Sequence, residues 1–204
     1  MTETSGVIVA GGRSIRMGER EKTVVDVAGT PLIRRVADRL AVATDVVVVN
    51  CRDEQREAIA EAFDALDVET RFALDPVPDR GPVAGILTGL EAAATEYAVV
   101  VAADMPFLDP GLLAYLTERA VGHEVAIPRP GEWFEPLHAV YKTEPTVEAC
   151  KRALQHENPQ PIEPISTLDR VVVSREELLE HGSLDSFESI DTLDDLAWAR
   201  EQLS

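Results

Sequence analysis

Two glycines and two well-spaced cations fall close together near the start of the chain, in Val9-Ala10-Gly11-Gly12-Arg13-Ser14-Ile15-Arg16-Met17-Gly18-Glu19-Arg20-Glu21-Lys22. Gly11 and Gly12 have no Cβ, so the backbone there can approach a bound group closely and offer it N–H donors. Arg16 presents a planar fork that can clamp two oxygens, and Lys22 adds a compact point charge. Together they suit a triphosphate. The spacing is not the GxGxxG of dinucleotide-binding folds. Nor is it GxxxxGK[ST], because Gly18 lies too far from Lys22, and no GxSxG nucleophile turn occurs. A bare glycine turn with solvated cations is the alternative, and the offsets of Arg16, Gly18 and Lys22 weigh against it. A second candidate is Asp104, which directly follows the apolar run Val99-Val100-Val101-Ala102-Ala103. A carboxylate there is costly unless it faces a cation or water, and ligands of open α/β sheets bind at that end of their strands. Asp104 is therefore a candidate metal ligand. Asn50 and Asp75 each follow a β-branched or apolar run. On their own they read as strand-end turn formers.

These residues need a scaffold that brings strand ends together. Val7 to Val9 reads as a first strand entering the glycine loop, and residues 31–43 have helical spacing through Leu32, Ile33, Val36 and Leu40. Val46 to Val49 is a continuous β-branched run, as in a strand covered on both faces. Asp53 is a candidate N-cap for a helix with Ile59, Ala62, Phe63 and Leu66 on its apolar side. Residues 70–74 form a third strand, 82–94 a helix, 97–102 a fourth strand and 110–120 a helix with Pro110 in its first turn. Repeated strand-then-helix units predict an α/β fold, a three-layer α/β/α Rossmann-like arrangement with a mostly parallel sheet. Strands are also expected at 125–127, 138–141 and 171–173, helices at 145–155 and 192–203, and a proline-rich surface crossing at 158–164.

With 204 residues, 45% of them hydrophobic, the chain suits one domain, 1–204. Aromatics make up 5%, so the core must be mostly aliphatic. The net charge of −18 and the lack of basic patches argue against nucleic acid as a partner. Lysine occurs only at Lys22, Lys142 and Lys151, and such an acidic, lysine-poor surface is what concentrated salt would tolerate by screening self-repulsion. A halophilic, haloarchaeal source is the expectation. Neither a signal peptide nor a membrane-spanning run is visible, so a cytoplasmic location without membrane attachment is expected. Cys51 and Cys150 form no metal-binding pair and read as buried thiols.

The glycine segment resembles the pattern L-A-G-G-x-S-x-R-M-G-x-D-K of the molybdenum cofactor guanylyltransferase family. Ala10, Gly11, Gly12, Ser14, Arg16, Met17, Gly18 and Lys22 match. Val9 stands for Leu and Glu21 for Asp, with one extra residue before the lysine. Gly81-Pro82-Val83-Ala84-Gly85-Ile86 is similar to the family's G-P-x-x-G-I/M segment, and Ala103-Asp104-Met105-Pro106-Phe107 to its C/A-D-x-P-x segment. The resemblance implies the nucleotide-diphospho-sugar transferase-like fold, a nucleotide-binding half over 1–120 and an acceptor-binding half over 121–204. It implies GTP contacts from Val9, Ala10, Gly11, Gly12, Lys22, Asn50, Asp75 and Asp104, with Arg16, Lys22 and Asp104 catalytic. It also implies Mg2+ held by Asp104. Asp191 stands where many relatives carry Asn in N-x-N-T, and could share the metal.

The reaction so implied is transfer of GMP from GTP to the phosphate of molybdopterin or Mo-molybdopterin, with transient contact to proteins that insert molybdenum and accept the cofactor. Both substrates are anions, so charge neutralisation and alignment dominate, and an ionised phosphate nucleophile needs no Ser/His/Asp set. Trp133, in the segment running to His138, is a candidate to stack on the pterin or else a rim aromatic covering core. Four other readings remain: a molybdopterin cytidylyltransferase, a cobinamide-phosphate guanylyltransferase, a sugar-phosphate nucleotidyltransferase, and a nucleotide-binding regulator without turnover. Met105 after Asp104 favours the guanylyl branch, since Gln is common there in the cytidylyl branch.

Overall fold

The computed structural model describes residues 3–12, 22–77 and 79–204. Arg16 lies outside the described residues, as do Ser14, Met17, Gly18 and Glu21. In chain order the elements are β1 (Thr4–Val9), β2 (Asp26–Val27), β3 (Thr30–Pro31), α1 (Leu32–Leu40), β4 (Val46–Cys51), α2 (Arg56–Ala62), β5 (Glu69–Leu74), α3 (Pro82–Ala92), β6 (Tyr97–Ala102) and α4 (Pro110–Ala120). Then come β7 (Val125–Arg129), β8 (His138–Lys142), α5 (Thr143–Ala153), α6 (Ile162–Ile165), β9 (Arg170–Ser174), α7 (Arg175–His181) and α8 (Leu193–Gln202).

One seven-stranded sheet has the order β5-β4-β1-β6-β8-β7-β9. β5, β4, β1 and β6 run parallel, so their carboxyl ends share one edge. β8 is antiparallel to both β6 and β7, and β9 is parallel to β7. The central strands bury both faces because their residues alternate between two helical layers. Ile8, Val47, Val49, Val99 and Val101 face one layer, with Ile33 of α1, Leu112 of α4 and Leu178 of α7. Val7, Val48, Ala98 and Val100 face the other, with Ile86 and Leu90 of α3 and Ala149 of α5. The expected mostly parallel, three-layer α/β/α architecture is what the chain adopts. α3 lies unusually close to the sheet: a Cβ on Gly85 would come within 2.6 Å of Asn50 Oδ1 and 2.7 Å of Val9 Cγ1. No helix among the described residues is long and apolar enough to cross a membrane.

Several elements differ from the sequence expectation. The helix expected to be capped by Asp53 opens instead with a 3-10 turn, Asp53–Gln55, with Arg52 as the cap residue. Gln55 Oε1 accepts the Arg52 N–H at 2.9 Å there, so a buried amide replaces the carboxylate cap. The proline-rich crossing contains the short α6, and α5 begins at Thr143, whose N–H donates to the Glu96 carbonyl at 2.9 Å. α7 buries Leu178 and little else, so apolar periodicity did not mark it. Its capping box, Ser174 with Glu177, was the available sign. α8 starts as expected at Thr192, whose hydroxyl accepts the Asp195 N–H. It packs with the small β2–β3 hairpin around Val27, Leu32, Ile190 and Leu196.

Candidate active site

The carboxyl ends of β1, β4, β5 and β6 open into a cleft of about 750 Å3. It is lined by Val9, Ala10, Gly11, Gly12, Lys22, Asn50, Asp75, Asp104 and Asp191, so the candidate nucleotide and metal residues within the described part of the chain meet in one cavity. Gly81 and Pro82 border it too. Gly81 takes a left-handed φ of 79° as the cap of α3, and the amino end of that helix adds positive potential to the rim.

β1 delivers the glycine turn. Val9 and Ala10 are tied into the sheet: the Val9 carbonyl accepts from Ala103 N–H at 3.1 Å, and Ala10 N–H donates to the Asn50 carbonyl at 2.8 Å. Gly11 and Gly12 lie beyond the ladder. Among the described residues, neither of their N–H groups has a protein acceptor. The missing Cβ of Gly11 makes room for a side chain rather than for a ligand, because a Cβ there would collide with Asp75 Oδ2. At Gly12 a Cβ would meet nothing within 4 Å among the described residues.

β4 and β5 deliver Asn50 and Asp75. Asn50 is fully buried, and its Nδ2 donates to Asp75 Oδ1 at 2.6 Å and to the Ala73 carbonyl at 3.2 Å. Asn50 Oδ1 is buried with no hydrogen-bond partner among the described residues. The Asp75 carboxyl is held above the ordinary aspartate range by burial, offset in part by the Asn50 hydrogen bond and the charge of Arg52. Asn50 thus orients Asp75 from the cleft floor.

β6 delivers Asp104, and the 3-10 turn Lys22–Val24 delivers Lys22. Lys22 Nζ sits 2.7 Å from Asp104 Oδ2 and 3.0 Å from Asp191 Oδ1. Burial opposes the ammonium charge, but the two carboxylates outweigh it and hold the lysine pKa above its ordinary value. Asp191 reaches the site because Ile190, buried against Leu196 and Val27, donates its N–H to the Asp104 carbonyl at 2.9 Å. Ser189 Oγ donates to Asp191 Oδ2 at 3.0 Å. Two carboxylates thus converge on one cation position. Among the described residues no cluster of three or more His, Cys, Asp or Glu could enclose a metal alone. A pair of oxygen donors fits Mg2+, which commonly takes one or two carboxylates and completes its shell with substrate phosphates and water.

Trp133 does not line the cleft and is 78% exposed, so it covers no core either. Of its segment, Leu137 lines the cavity, while His138 turns inward. His138 is fully buried, with Nε2 3.3 Å from Ser186 Oγ, and burial pushes its pKa down to about 3. Both thiols are buried as expected, which raises each to a pKa of about 12. Sequence reasoning missed Arg52 and Gln55, which reach the glycine turn from below. The one available sign was their place, as polar residues just past the carboxyl end of a central strand, where ligands of such sheets bind.

A cleft at the carboxyl edge of such a sheet, with an amide-rich turn and a lysine between two aspartates, is the layout of an α/β nucleotidyltransferase. The profile of the MobA-like NTP transferase domain matches residues 6–163. The chain belongs to the MobA-like NTP transferase family and is an enzyme of the nucleotidyltransferase class. It is 60% identical over 176 residues, covering 86% of both chains, to the probable molybdenum cofactor guanylyltransferase of Natronomonas pharaonis. It is 37% identical to the protein of that name from Haloferax mediterranei, covering 86% of this chain and 83% of that one. The crystal structure of molybdopterin-guanine dinucleotide biosynthesis protein A from Archaeoglobus fulgidus superposes with a TM-score of 0.79 at 30% identity over 98% of both chains. The 4-diphosphocytidyl-2C-methyl-D-erythritol synthase of Anaerococcus prevotii shares the fold, with a TM-score of 0.75 at 14% identity, covering 99% of this chain and 96% of that one.

Proposed function

We propose that the enzyme transfers GMP from GTP to the phosphate of molybdopterin, with or without molybdenum, releasing pyrophosphate and the guanine dinucleotide form of the cofactor. The observation that carries the reading is the Lys22 ammonium held between Asp104 and Asp191 beside the open glycine turn. The names of the haloarchaeal relatives and of the Archaeoglobus structure support the same reaction.

In this reading a phosphate oxygen of molybdopterin attacks the α-phosphorus of GTP in line. The new P–O bond forms as the bond to the β-phosphate bridging oxygen breaks, and pyrophosphate leaves with that electron pair. The nucleophile is already ionised, so no general base is required. The Gly11 and Gly12 amides and Lys22 receive the triphosphate and the charge growing on the leaving group; Arg16 joins them by family resemblance. Asp75, oriented by Asn50, offers a carboxylate to the paired N1–H and N2–H donors of guanine. Asp104 and Asp191 would hold Mg2+, which when bound withdraws charge from the α-phosphate oxygens. Residues 1–120 form the nucleotide half and 121–204 the acceptor half, with Asp191 reaching across to complete the first. The reading places the reaction in the cytoplasm, with transient contact to proteins that insert molybdenum and accept the finished cofactor.

The test is pyrophosphate release with each of the four nucleoside triphosphates, with and without molybdopterin, and with and without a chelator. The expected result is release from GTP alone, only with molybdopterin, and only without the chelator. Preference for CTP, or release that ignores molybdopterin, overturns the assignment.

A further inference from the structure

Below the cleft, three consecutive carbonyls of the glycine turn are anchored by one short segment. Gln55 Nε2 donates to the Ala10 carbonyl at 3.1 Å. One terminal nitrogen of Arg52 donates to the Gly11 and Gly12 carbonyls, each at 3.3 Å. The two anchors are coupled, since Gln55 Oε1 accepts the Arg52 N–H at 2.9 Å. Both side chains are buried, Arg52 7% exposed and Gln55 1%, which is rare for an arginine without a structural or functional reason. Glu54 Oε1, 3.0 Å from Arg52 Nε, balances part of its charge.

In a trans peptide the C=O and the following N–H point in opposite directions, and no described peptide bond is cis. Pulling the Ala10 carbonyl toward Gln55 therefore turns the Gly11 N–H away from Gln55. Pulling the Gly11 carbonyl toward Arg52 turns the Gly12 N–H away from Arg52. Both freed donors belong to residues that line the cleft and have no protein acceptor among the described residues. A cation at the carbonyl end of a peptide also polarises it, which strengthens its N–H as a donor.

We propose that Arg52, coupled to Gln55, is a positioning residue for triphosphate binding: it fixes the peptide planes of the glycine turn so that the Gly11 and Gly12 amides face the phosphates. It touches neither substrate. The inference rests on the reading that this cleft takes GTP.

The test measures affinity of wild type, Arg52→Ala and Arg52→Lys for GTP and for guanosine by calorimetry, with thermal unfolding run alongside. Lysine keeps the charge but loses the planar fork, so Arg52→Lys carries the test if the alanine variant does not fold. GTP affinity is expected to fall about tenfold or more, the scale of lost hydrogen bonds to a charged group, while guanosine affinity holds. Arg52→Lys should show a smaller loss with the same selectivity. Equal losses for GTP and guanosine would reduce Arg52 to a purely structural part and overturn the proposal, as would unchanged GTP affinity. A wild type that binds no GTP would overturn the underlying reading instead.

Discussion

Gly11→Ala against Gly12→Ala sets two neighbouring glycines to opposite outcomes. Neither has a left-handed φ, so alanine strains neither backbone and only space distinguishes them. At Gly12 the added methyl meets nothing within 4 Å among the described residues. At Gly11 it falls about 1 Å short of ordinary contact with Asp75 Oδ2, inside the repulsive wall. Asp75 can retreat only by giving up the 2.6 Å hydrogen bond from Asn50. The turn can rise only by stretching the Arg52 and Gln55 bonds below it. Over-packing of this kind costs about 1–3 kcal/mol. Where the strain is relieved by moving site groups, that is roughly 5- to 150-fold in GTP affinity. Gly12→Ala meets no described side chain, so its folding stability should stay within about 0.5 kcal/mol of wild type. Calorimetric titration of GTP into both variants, with unfolding curves to separate folding from binding, measures the contrast. Equal unfolding midpoints in the two variants would refute the claim that Gly11 exists to seat Asp75.

Asp104→Asn is expected to abolish metal-dependent pyrophosphate release while leaving the unfolding midpoint in place; retained turnover would remove Asp104 from the metal site. Lys22→Ala is expected to cut GTP turnover on the order of 10²–10³-fold, the scale of one lost preorganised charge donor. The same variant should bind Mn2+ more tightly than wild type without nucleotide, read by electron paramagnetic resonance, because its carboxylate pair is no longer held by an ammonium; unchanged Mn2+ binding would argue against a shared cation position. His138 has its folded-state pKa depressed from 6.5 to about 3 by burial. The unfolded chain takes up that proton first as pH falls, so the stabilisation is complete above pH 6.5 and lost on the way down to about 3. Its slope is on the order of 1.4 kcal/mol per pH unit. Urea titrations of wild type and His138→Gln across that window should differ by this slope, and parallel curves would contradict it.

The central strands were legible because they are buried on both faces and read as unbroken valine and alanine runs. Their carboxyl ends were legible for the same reason, and with them Asp104, whereas Asn50 and Asp75 were marked as nucleotide contacts only by the family resemblance. The β2–β3 hairpin escaped because two-residue strands carry no period. The Asp53 cap failed because Gln55, a buried amide three residues past Arg52, closes that turn itself and is held there by the Ala10 carbonyl, a contact the local sequence does not report. Trp133 looked like a ring awaiting a partner, yet its segment carries it out of the cleft and into solvent. The reason for Gly11 was also hidden: the sequence shows that a side chain is missing, but only the fold shows that Asp75 occupies its place.

Asp191 is bonded to Lys22 across 169 residues, and the Ile190 amide is tied to the Asp104 carbonyl. A chain emerging from the ribosome therefore displays its glycine turn and its first aspartate long before the second aspartate exists. Under the proposed mechanism the cation pair is complete only once residues 190 and 191 dock, so a chain clipped ahead of residue 190 would hold every strand of the seven-stranded sheet yet only half of that pair. In that reading, turnover tests whether the segment carrying Asp191 has docked, rather than whether the sheet has formed.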